Sequence, residues 1–422
     1  MNFLKQAPAC WLSASLLLAG GSAWAQPQAV EMAASTALPA VTLQTALAQA
    51  MAQNPGLRAA QQAVAASEGA MIQSQARPNP ELAFSQEDTR RATRSSSLQW
   101  NQPIEIGGKR AARMKVAEHG VELARAELDT ARAALRADVR AAFANLLAAQ
   151  QRVQLNEKTL EIAAQARDAA AKRVMAGKAA PLEETKAQVA ESSAQLALNQ
   201  AQSGLRVARQ QLALLWGGSG IAVGEAMGDM VQLPQLPPQE QLLQKVEHSA
   251  QVVRAQQAYL QAKSTAELER AKRLPDPTVS VGIKRAEEAG RNQLLLGVSI
   301  PLPILDSNRG NQLQALRLAD KAEDELLAAR QLAQAQLLQN YEQLQTSRAQ
   351  TLQLQSKVLP GAQSAYEVAA KGFSLGKFSY LDVLDAQRTL ADARSLYLDQ
   401  LVATHRAAAE ITRQLGDTPG LE

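Results

Sequence analysis

Aromatic residues are scarce in this chain of 422 residues. Phe, Trp and Tyr make up only 3% of the sequence, too few to anchor the several compact cores that such a length would otherwise suggest. Ala, Gln, Leu, Glu, Arg and Lys dominate instead, which is typical of long helices that pack through a narrow stripe. The composition therefore predicts a mainly α-helical protein.

Cysteine, histidine and charge of one sign are also lacking. One Cys and three scattered His exclude a disulfide scaffold and disfavour a His/Cys metal cage. A net charge of +4 gives no clustered basic face for nucleic acid. We find no glycine-rich nucleotide loop, no HExxH string and no Ser/His/Asp set. We therefore expect a protein that is not an enzyme and that uses no cofactor or bound metal.

The first residues have the pattern of a cleavable signal peptide over 1–25. Lys5 gives a positive start, an apolar run follows over 11–20, and the small residues Ala23 and Ala25 mark a cleavage site. The later sequence contains no stretch of about 20 apolar residues. We therefore expect an exported chain without a transmembrane helix.

Two other interpretations of this leader are weaker. A membrane anchor would need about 20 apolar residues, and the run at 11–20 is too short. A lipid anchor at Cys10 would need an apolar stretch before it, and the residues Gln6-Ala7-Pro8-Ala9 leave no room for one. We expect the mature chain to begin near Gln26 with an extension over 26–42.

The chain contains a tandem duplication. Short strings return in the same order about 200 residues later, which is too long a period for a solenoid repeat. The clearest pairs are Pro78-Asn79-Pro80 with Pro275-Asp276-Pro277, Gln102-Pro103-Ile104 with Ile300-Pro301-Leu302, Gly177-Lys178 with Gly376-Lys377, and Arg209-Gln210-Gln211-Leu212 with Arg413-Gln414-Leu415. We expect a first structural repeat over 43–216, a linker over 217–239, a second repeat over 240–416 and a tail over 417–422.

Each repeat has the same predicted order of helix, β-hairpin, long helix and shorter helix. Alternating apolar and polar residues predict strands at about 81–88 and 96–103, and again at about 278–284 and 292–301. The hairpin tips are charged and should lie in water. Proline ends the returning strands because it has no N–H for the ladder. Gly107 and Gly108 then form a strand-to-helix turn.

The helical segments are long. Helical spacing covers 43–75 and 240–273 before the strands, and 109–175 and 311–374 after them. At ~1.5 Å per residue the segment at 109–175 would span roughly 100 Å. Val139, Leu146, Val153 and Leu160 recur every seven residues and predict a coiled-coil seam. A shorter helix follows at 181–216, and we expect two short helices to stack end to end beside each long one.

The predicted strands are too few to close a barrel. Four strands leave two open edges, whereas about eight strands are the usual minimum for closure. Because open edges are not tolerated in lipid, several copies would have to complete one barrel. Two copies would give eight strands and a filled interior, and three would give twelve and a water-filled lumen. The alternative is a soluble periplasmic coiled-coil scaffold, which the scarcity of aromatic girdle residues in the strands favours.

This plan resembles the TolC-type outer membrane factors of tripartite efflux systems. The string from Gln102 to Arg113 is similar to the CzcC-type outer-membrane component of cobalt–zinc–cadmium resistance pumps. The resemblance implies a mainly α fold with a small membrane β-barrel portion, in which a homotrimer builds a twelve-stranded barrel on a twelve-helix tunnel. The barrel would lie in outer-membrane lipid, and the tunnel would project into the periplasm.

The same resemblance implies the partners and the cargo. A periplasmic adaptor and an inner-membrane proton-driven RND pump would deliver substrate, and this chain would conduct it passively outwards. Divalent heavy-metal cations such as cobalt, zinc and cadmium are the expected cargo. A channel of the same fold for drugs and other organic compounds remains the alternative.

A second string, Tyr380 to Gln387, carries two candidate site residues. In TolC-like proteins the two aspartates of such a string ring the periplasmic entrance, which implies that Asp382 and Asp385 are aperture residues here. Glu183 and Glu184 occupy the equivalent place in the first repeat. Rings of carboxylates in a narrow mouth attract cations. The alternative is that these acids only stabilise the first turn of a helix.

Two glycines mark the other candidate site. Gly177-Lys178 and Gly376-Lys377 follow the predicted long helices and should form helical-hairpin tips that face the adaptor. Glycine permits the positive φ that such a turn needs. An ordinary glycine at a helix C-terminus is compatible with this interpretation.

Overall fold

The computed structural model describes residues 40–218, 223–416 and 418. The expected signal peptide over 1–25 and most of the extension over 26–42 lie outside the described residues. The same holds for part of the linker and most of the tail. Residues 40–42 run beside the linker, where Val41 and Ala226 form a parallel bridge.

The described part of the chain is mainly helical and contains one small sheet. The first repeat consists of α1 (Leu43–Gln53), α2 (Pro55–Gln75), β1 (Glu81–Glu87), β2 (Ser95–Pro103), α3 (Lys109–Met175) and α4 (Pro181–Leu214). The second consists of α5 (Gln239–Lys245), a 3₁₀ turn (Val246–His248), α6 (Ala250–Ala271), β3 (Thr278–Ala286), β4 (Arg291–Ser299), α7 (Arg309–Gln353), a π-helical turn (Leu354–Val358), α8 (Leu359–Ser374) and α9 (Tyr380–Leu415). Each strand begins and ends within two residues of the position that the sequence predicts.

The helix predicted over 43–75 is divided in two. Pro55 has no N–H for the helical ladder, so α1 ends at Gln53 and α2 begins at Pro55. Asn54 caps α2 by accepting the N–H of Leu57 at 2.9 Å, and its amide donates to the carbonyl of Leu215 at 2.7 Å. The end of α4 therefore meets the start of α2, and both pack against α3 as two helices stacked end to end.

The long helix predicted over 311–374 is also interrupted. Pro360 cannot donate to the carbonyl four residues earlier, and the helix widens into a π-helical turn just before it. The N–H of Leu359 donates to the carbonyl of Leu354 instead of the usual i−4 partner. The first repeat has no such break, because α3 runs uninterrupted over 67 residues.

The core lies along α3. This helix packs against α2 and α4 of its own repeat and against α6 and α9 of the second repeat. Val139 and Leu146 of the predicted heptad stripe are fully buried, and small alanines beside them let the helix axes approach closely. None of the helices in the described ranges combines the length and hydropathy needed to cross a bilayer.

The sheet joins the two repeats. Its order is β1-β2-β3-β4, and every neighbouring pair is antiparallel. The central pair is β2 of the first repeat with β3 of the second, from Ser95 opposite Ala286 to Pro103 opposite Thr278. The strands β1 and β4 are the edges, and each edge has no further strand partner among the described residues.

Candidate functional site

One face of the sheet is apolar across all four strands. Cross-strand partners on this face are apolar in two successive rows, and all of these side chains are exposed in the single chain. The rows are Leu82, Trp100, Val281 and Leu296, followed by Phe84, Leu98, Ile283 and Leu294. A sheet that exposes such a face in one copy needs an apolar surrounding.

The opposite face is mostly polar. The hydroxyls of Ser85 and Ser97 are hydrogen-bonded at 2.7 Å across β1 and β2. Lys284 of β3 donates to Glu87 of β1 at 2.8 Å. Gly282 is buried on this face, and a Cβ there would lie 2.6 Å from the carbonyl oxygen of Leu98, so only glycine fits. The sheet is thus two-sided, as a wall between lipid and water requires.

The strand-to-helix turn of the first repeat binds the second repeat. Gly107 and Gly108 both have positive φ, at 70° and 75°. A Cβ on Gly107 would lie 2.6 Å from Leu274. Just after the turn, Lys109 forms an ion pair with Asp276 at 2.8 Å. The glycines predicted for this turn therefore permit both the backbone conformation and a close contact between the repeats.

The same string contains a second anchor. Arg113 makes a two-point ion pair with Glu105 and donates to the carbonyls of Ser74 and Ala76, which close α2. Hydrogen bonding to Glu105 is the main cause of the raised pKa of Arg113. The string from Gln102 to Arg113 therefore fixes the sheet on the helices.

Asp382 lies in the first turn of α9. Its carboxylate accepts the backbone N–H and the hydroxyl of Ser379, both at 2.8 Å, and the Ser379 hydroxyl accepts the N–H of Asp382. This capping box lowers the pKa of Asp382, chiefly through the Ser379 side chain. The helix-capping alternative therefore describes a contact that is present, and it is compatible with an aperture role.

Asp385 lies one turn further along α9 and faces the first repeat. It lines an open groove of about 460 Å³ together with Leu381 and Arg388 of α9 and with Thr185 and Lys186 of α4. The structure thus brings the first turns of α4 and α9 together, although they come from different repeats.

Glu183 and Glu184 lie in the first turn of α4 and are half-buried. One carboxylate oxygen of Glu183 is buried without a hydrogen-bond partner. The cap residue of α4, Ala180, has no side chain that could accept a hydrogen bond. The acids of the two repeats thus occupy equivalent places, but the carboxylate of Asp382 is hydrogen-bonded to a cap residue and that of Glu183 is not.

The two predicted helical-hairpin tips have the same backbone geometry. Gly177 and Gly376 have φ of 66° and 72°, and a Cβ at either position would meet open space. The N–H of Lys178 bonds to the carbonyl of Arg173 at 2.9 Å, and the N–H of Lys377 bonds to that of Gly372 at 2.8 Å. Both turns are Schellman motifs in which glycine is needed for its conformation alone.

A contact that the sequence analysis missed joins these tips. The guanidinium of Arg173, near the end of α3, lies 4.7 Å from the ring centre of Phe373, near the end of α8. The Phe373 ring lies 5.9 Å from that of Tyr380, which is buried against Ala170 and Ala187. The clustering of scarce aromatics near residue 375 was the signal that could have indicated it.

Acidic side chains at the helix ends do not form a metal cage. Within residues 40–218, 223–416 and 418, no group of three or more His, Cys, Asp or Glu side chains is arranged to hold a metal ion.

Comparisons with known proteins agree with this architecture. The model of the family described as "Outer membrane efflux protein" matches residues 46–218 and 242–417. A relative from Cupriavidus metallidurans, the cobalt-zinc-cadmium resistance protein CzcC, is 46% identical over 376 residues, which is 89% of this chain and 90% of that protein.

Solved structures show the same fold at low identity. The outer-membrane channel OprN is 18% identical with a TM-score of 0.76 and covers 89% of this chain and 90% of its own. CusC is 20% identical with a TM-score of 0.70, covering 90% of this chain and 93% of its own. VceC from Vibrio cholerae is 17% identical with a TM-score of 0.75, covering 90% and 97%. The chain therefore belongs to the outer membrane efflux protein family and has the TolC-like fold of its outer-membrane channels.

Proposed function

We propose that three copies of this chain form the outer-membrane duct of a tripartite RND efflux pump for divalent heavy-metal cations. The identity to CzcC, whose name states cobalt, zinc and cadmium resistance, supports this cargo. The membership of the chain in an efflux family places it in the outer membrane.

The two-sided sheet with open edges carries the proposal. Its apolar face suits lipid, its polar face suits a wet lumen, and β1 and β4 each leave a row of unpaired backbone groups. Because β1 and β4 are antiparallel, β4 of one copy can pair with β1 of the next. Two copies would give eight strands and a filled interior, whereas three give twelve strands and room for water.

The acids at the helix ends are proposed to form the periplasmic aperture. Asp382, Asp385, Glu183 and Glu184 would each contribute three carboxylates in a trimer, in the region where α4 and α9 begin together. Since the pKa of Asp382 is lowered, this group stays charged at neutral pH. A narrow mouth with such charge raises the local concentration of cations.

The tips are proposed to bind the adaptor. Gly177-Lys178 and Gly376-Lys377 present two turns of matched geometry at the ends of the helices. Two equivalent tips in each copy would give six docking positions in a trimer. Selectivity would lie in the inner-membrane pump, since a wide wet duct offers no tight site and no step that needs catalysis.

A resistance profile tests the proposed function. In a strain that lacks this chain, minimal inhibitory concentrations of cobalt, zinc and cadmium should fall, and the full-length chain should restore them. Dyes and other organic toxins form the second arm of the same experiment. Normal metal resistance with lost dye resistance would assign the channel to organic compounds, and normal resistance in both arms would contradict an export role.

A further inference from the structure

The first strand-to-helix junction has its partner inside the chain. After β2, the N–H of Ile104 donates to the carbonyl of Pro277 at 2.8 Å, and the N–H of Ile106 donates to Asp276 at 3.0 Å. Lys109 completes the contact with its ion pair to Asp276. The segment just before β3 thus fits against the segment just after β2, because those strands are neighbours in the sheet.

In the described part of the chain, the equivalent junction of the second repeat is bonded to its own α6 through Asn308 and Glu269, and no segment before a strand of the other repeat contacts it in this way. After β4, Leu302 is 74% exposed, Ile304 is 80% exposed and Leu305 is fully exposed. Residues 301–308 line an open groove of about 760 Å³ together with the end of α6. Arg309 begins α7 as Lys109 begins α3, and within the ranges that the structure describes it has no ion pair like that of Lys109 with Asp276. The apolar part of this junction is therefore uncovered in a single copy.

We propose that residues 77–80 of a neighbouring copy complete the second junction. This inference rests on the proposed trimer and names the residues of its seam. Asn79 stands where Asp276 stands in the second repeat, and Arg309 stands where Lys109 stands in the first. The side-chain oxygen of Asn79 of the neighbouring copy therefore accepts a hydrogen bond from the Arg309 guanidinium.

Charge complementarity supports the same docking. Within the chain, Leu274 packs on Gly107 of the first junction. Its equivalent in the first repeat is Arg77, which is exposed and has no ion pair among the described residues. Docked in the same way on the second junction, Arg77 of the neighbouring copy lies beside the exposed Asp306. An apolar contact within the chain is thus replaced by an ion pair between copies.

The strand register agrees with this arrangement. When the observed pairing of β2 with β3 is carried over to β4 and the neighbouring β1, Phe84 lies opposite Val298 and Leu82 lies opposite Ile300. Apolar residues then face apolar residues across the seam, so the lipid face continues around the barrel. A register shifted by one residue would place Phe84 among the polar side chains.

Cysteine cross-linking tests the seam directly. The only cysteine, Cys10, lies in the expected leader, so introduced cysteines are the only reactive thiols of the mature chain. The full-length trimer carrying Asn79→Cys and Arg309→Cys is oxidised in the membrane and run on a denaturing gel. Phe84→Cys with Val298→Cys reports the strand seam itself. Asn79→Cys with Lys321→Cys is the matched control, because Lys321 lies exposed on α7 three turns beyond Arg309.

The expected result is covalent trimer from the first two pairs and none from the control. Cross-linking by Phe84→Cys with Val298→Cys alone would overturn the proposed junction contact but would still support a barrel closed between copies. Failure of both pairs would contradict the barrel seam and the inference together. Equal cross-linking by the control pair would show random collision and would also overturn the inference.

A charge exchange tests the ion pair separately. Arg77→Asp or Asp306→Arg alone places like charges at the seam and should speed trimer dissociation in detergent about tenfold. The double variant restores the pair and should return the rate to within about threefold of the original. Additive losses in the double variant would contradict direct contact. As a control, the substitution Arg317→Asp on the exposed face of α7 should leave the rate of trimer dissociation unchanged.

Discussion

The two repeats make the passage from strand to helix in different ways. In the first repeat the passage takes five residues, is rich in polar contacts, and is held by Asp276 and the carbonyl of Pro277. In the second it is longer and apolar up to Leu305, the N–H of Ile304 donates to the carbonyl of Leu302, and the Asn308 amide donates to Glu269 of its own repeat at 3.0 and 2.9 Å. The same position in a duplicated chain thus has its partner inside the copy in the first repeat, whereas for the second repeat we propose a partner in the neighbouring copy.

This difference shows how a duplicated chain can build a ring. Each copy contains one complete seam, β2 with β3, and two halves of another seam. In a trimer three seams lie within chains and three lie between chains, so the barrel has approximate six-fold symmetry. The seam within a chain can use half-buried ion pairs such as Lys109 with Asp276, whereas the strand edges that form the seams between chains are exposed to water until the copies meet.

The largest expected effect comes from removing the partner of the first junction. Asp276→Ala leaves the half-buried Lys109 without a counter-charge and Ile106 without an acceptor, and should cost about 3 kcal/mol of folding stability. Thermal unfolding of the helices, followed by circular dichroism, measures it. The equivalent change Asn79→Ala should leave helix unfolding nearly unchanged and lower only the temperature of trimer dissociation. Equal effects on helix unfolding would remove the distinction between the junctions.

Gly107→Ala should be the next most damaging change. The residue has positive φ and its Cβ would clash with Leu274, so we expect a loss of about 2 kcal/mol. Urea unfolding of the detergent-solubilised protein gives the value. Gly310→Ala, in the first turn of α7 with open space around it, is the matched control and should be neutral or slightly stabilising. A tolerated alanine at 107 would mean that Leu274 moves freely.

The helix ends extend the comparison to the proposed mouth. Asp382→Ala with Asp385→Ala removes six charges from a trimer and should weaken cation block of channel current about tenfold in planar bilayers. Glu183→Gln with Glu184→Gln should weaken it less, because one oxygen of Glu183 is buried away from water. Unchanged block in the aspartate variant would assign those residues to helix capping alone.

The smallest effect should appear in the pH dependence of stability. Because the folded-state pKa of Asp382 lies below its ordinary value, its charge stabilises α9 above the unfolded-state pKa. That contribution is lost as the pH falls through the folded-state pKa, below about pH 4. The melting temperature of the Asp382→Asn variant should therefore lie below that of the unsubstituted protein at pH 7, and the two temperatures should converge in acid.

The sequence predicted helices and strands correctly where the apolar residues keep one regular spacing throughout a segment. The alternation in residues 278–284 and the heptad stripe at Val139 and Leu146 each predict one element, and both elements are present. The two helix breaks were missed because a single proline interrupts a helix even where the spacing of the apolar residues around it stays helical. Pro55 and Pro360 each remove one N–H from otherwise regular helical sequence, and periodicity alone does not weigh that loss.

The candidate site was only partly predictable. The capping role of Asp382 could be read from Ser379 three residues before it, because this spacing defines a capping box. The clustering of aromatics near residue 375 marks the place of the contact of Arg173 with Phe373, but not the partner, since the two residues lie in different repeats and meet only after the helices pack. Likewise, the pairing of β2 with β3 depends on how the repeats are arranged, which strand patterns do not encode.

The central pairing of β2 with β3 has a consequence for biogenesis. Helices α3 to α6 separate these strands, so the first hairpin reaches the periplasm before β3, its partner in the sheet. Closing so long a loop is slow, and until it closes the apolar face of the first hairpin is exposed to water in the periplasm. Secretion of this chain should therefore depend on holding chaperones that keep the early hairpin from pairing with the wrong molecule.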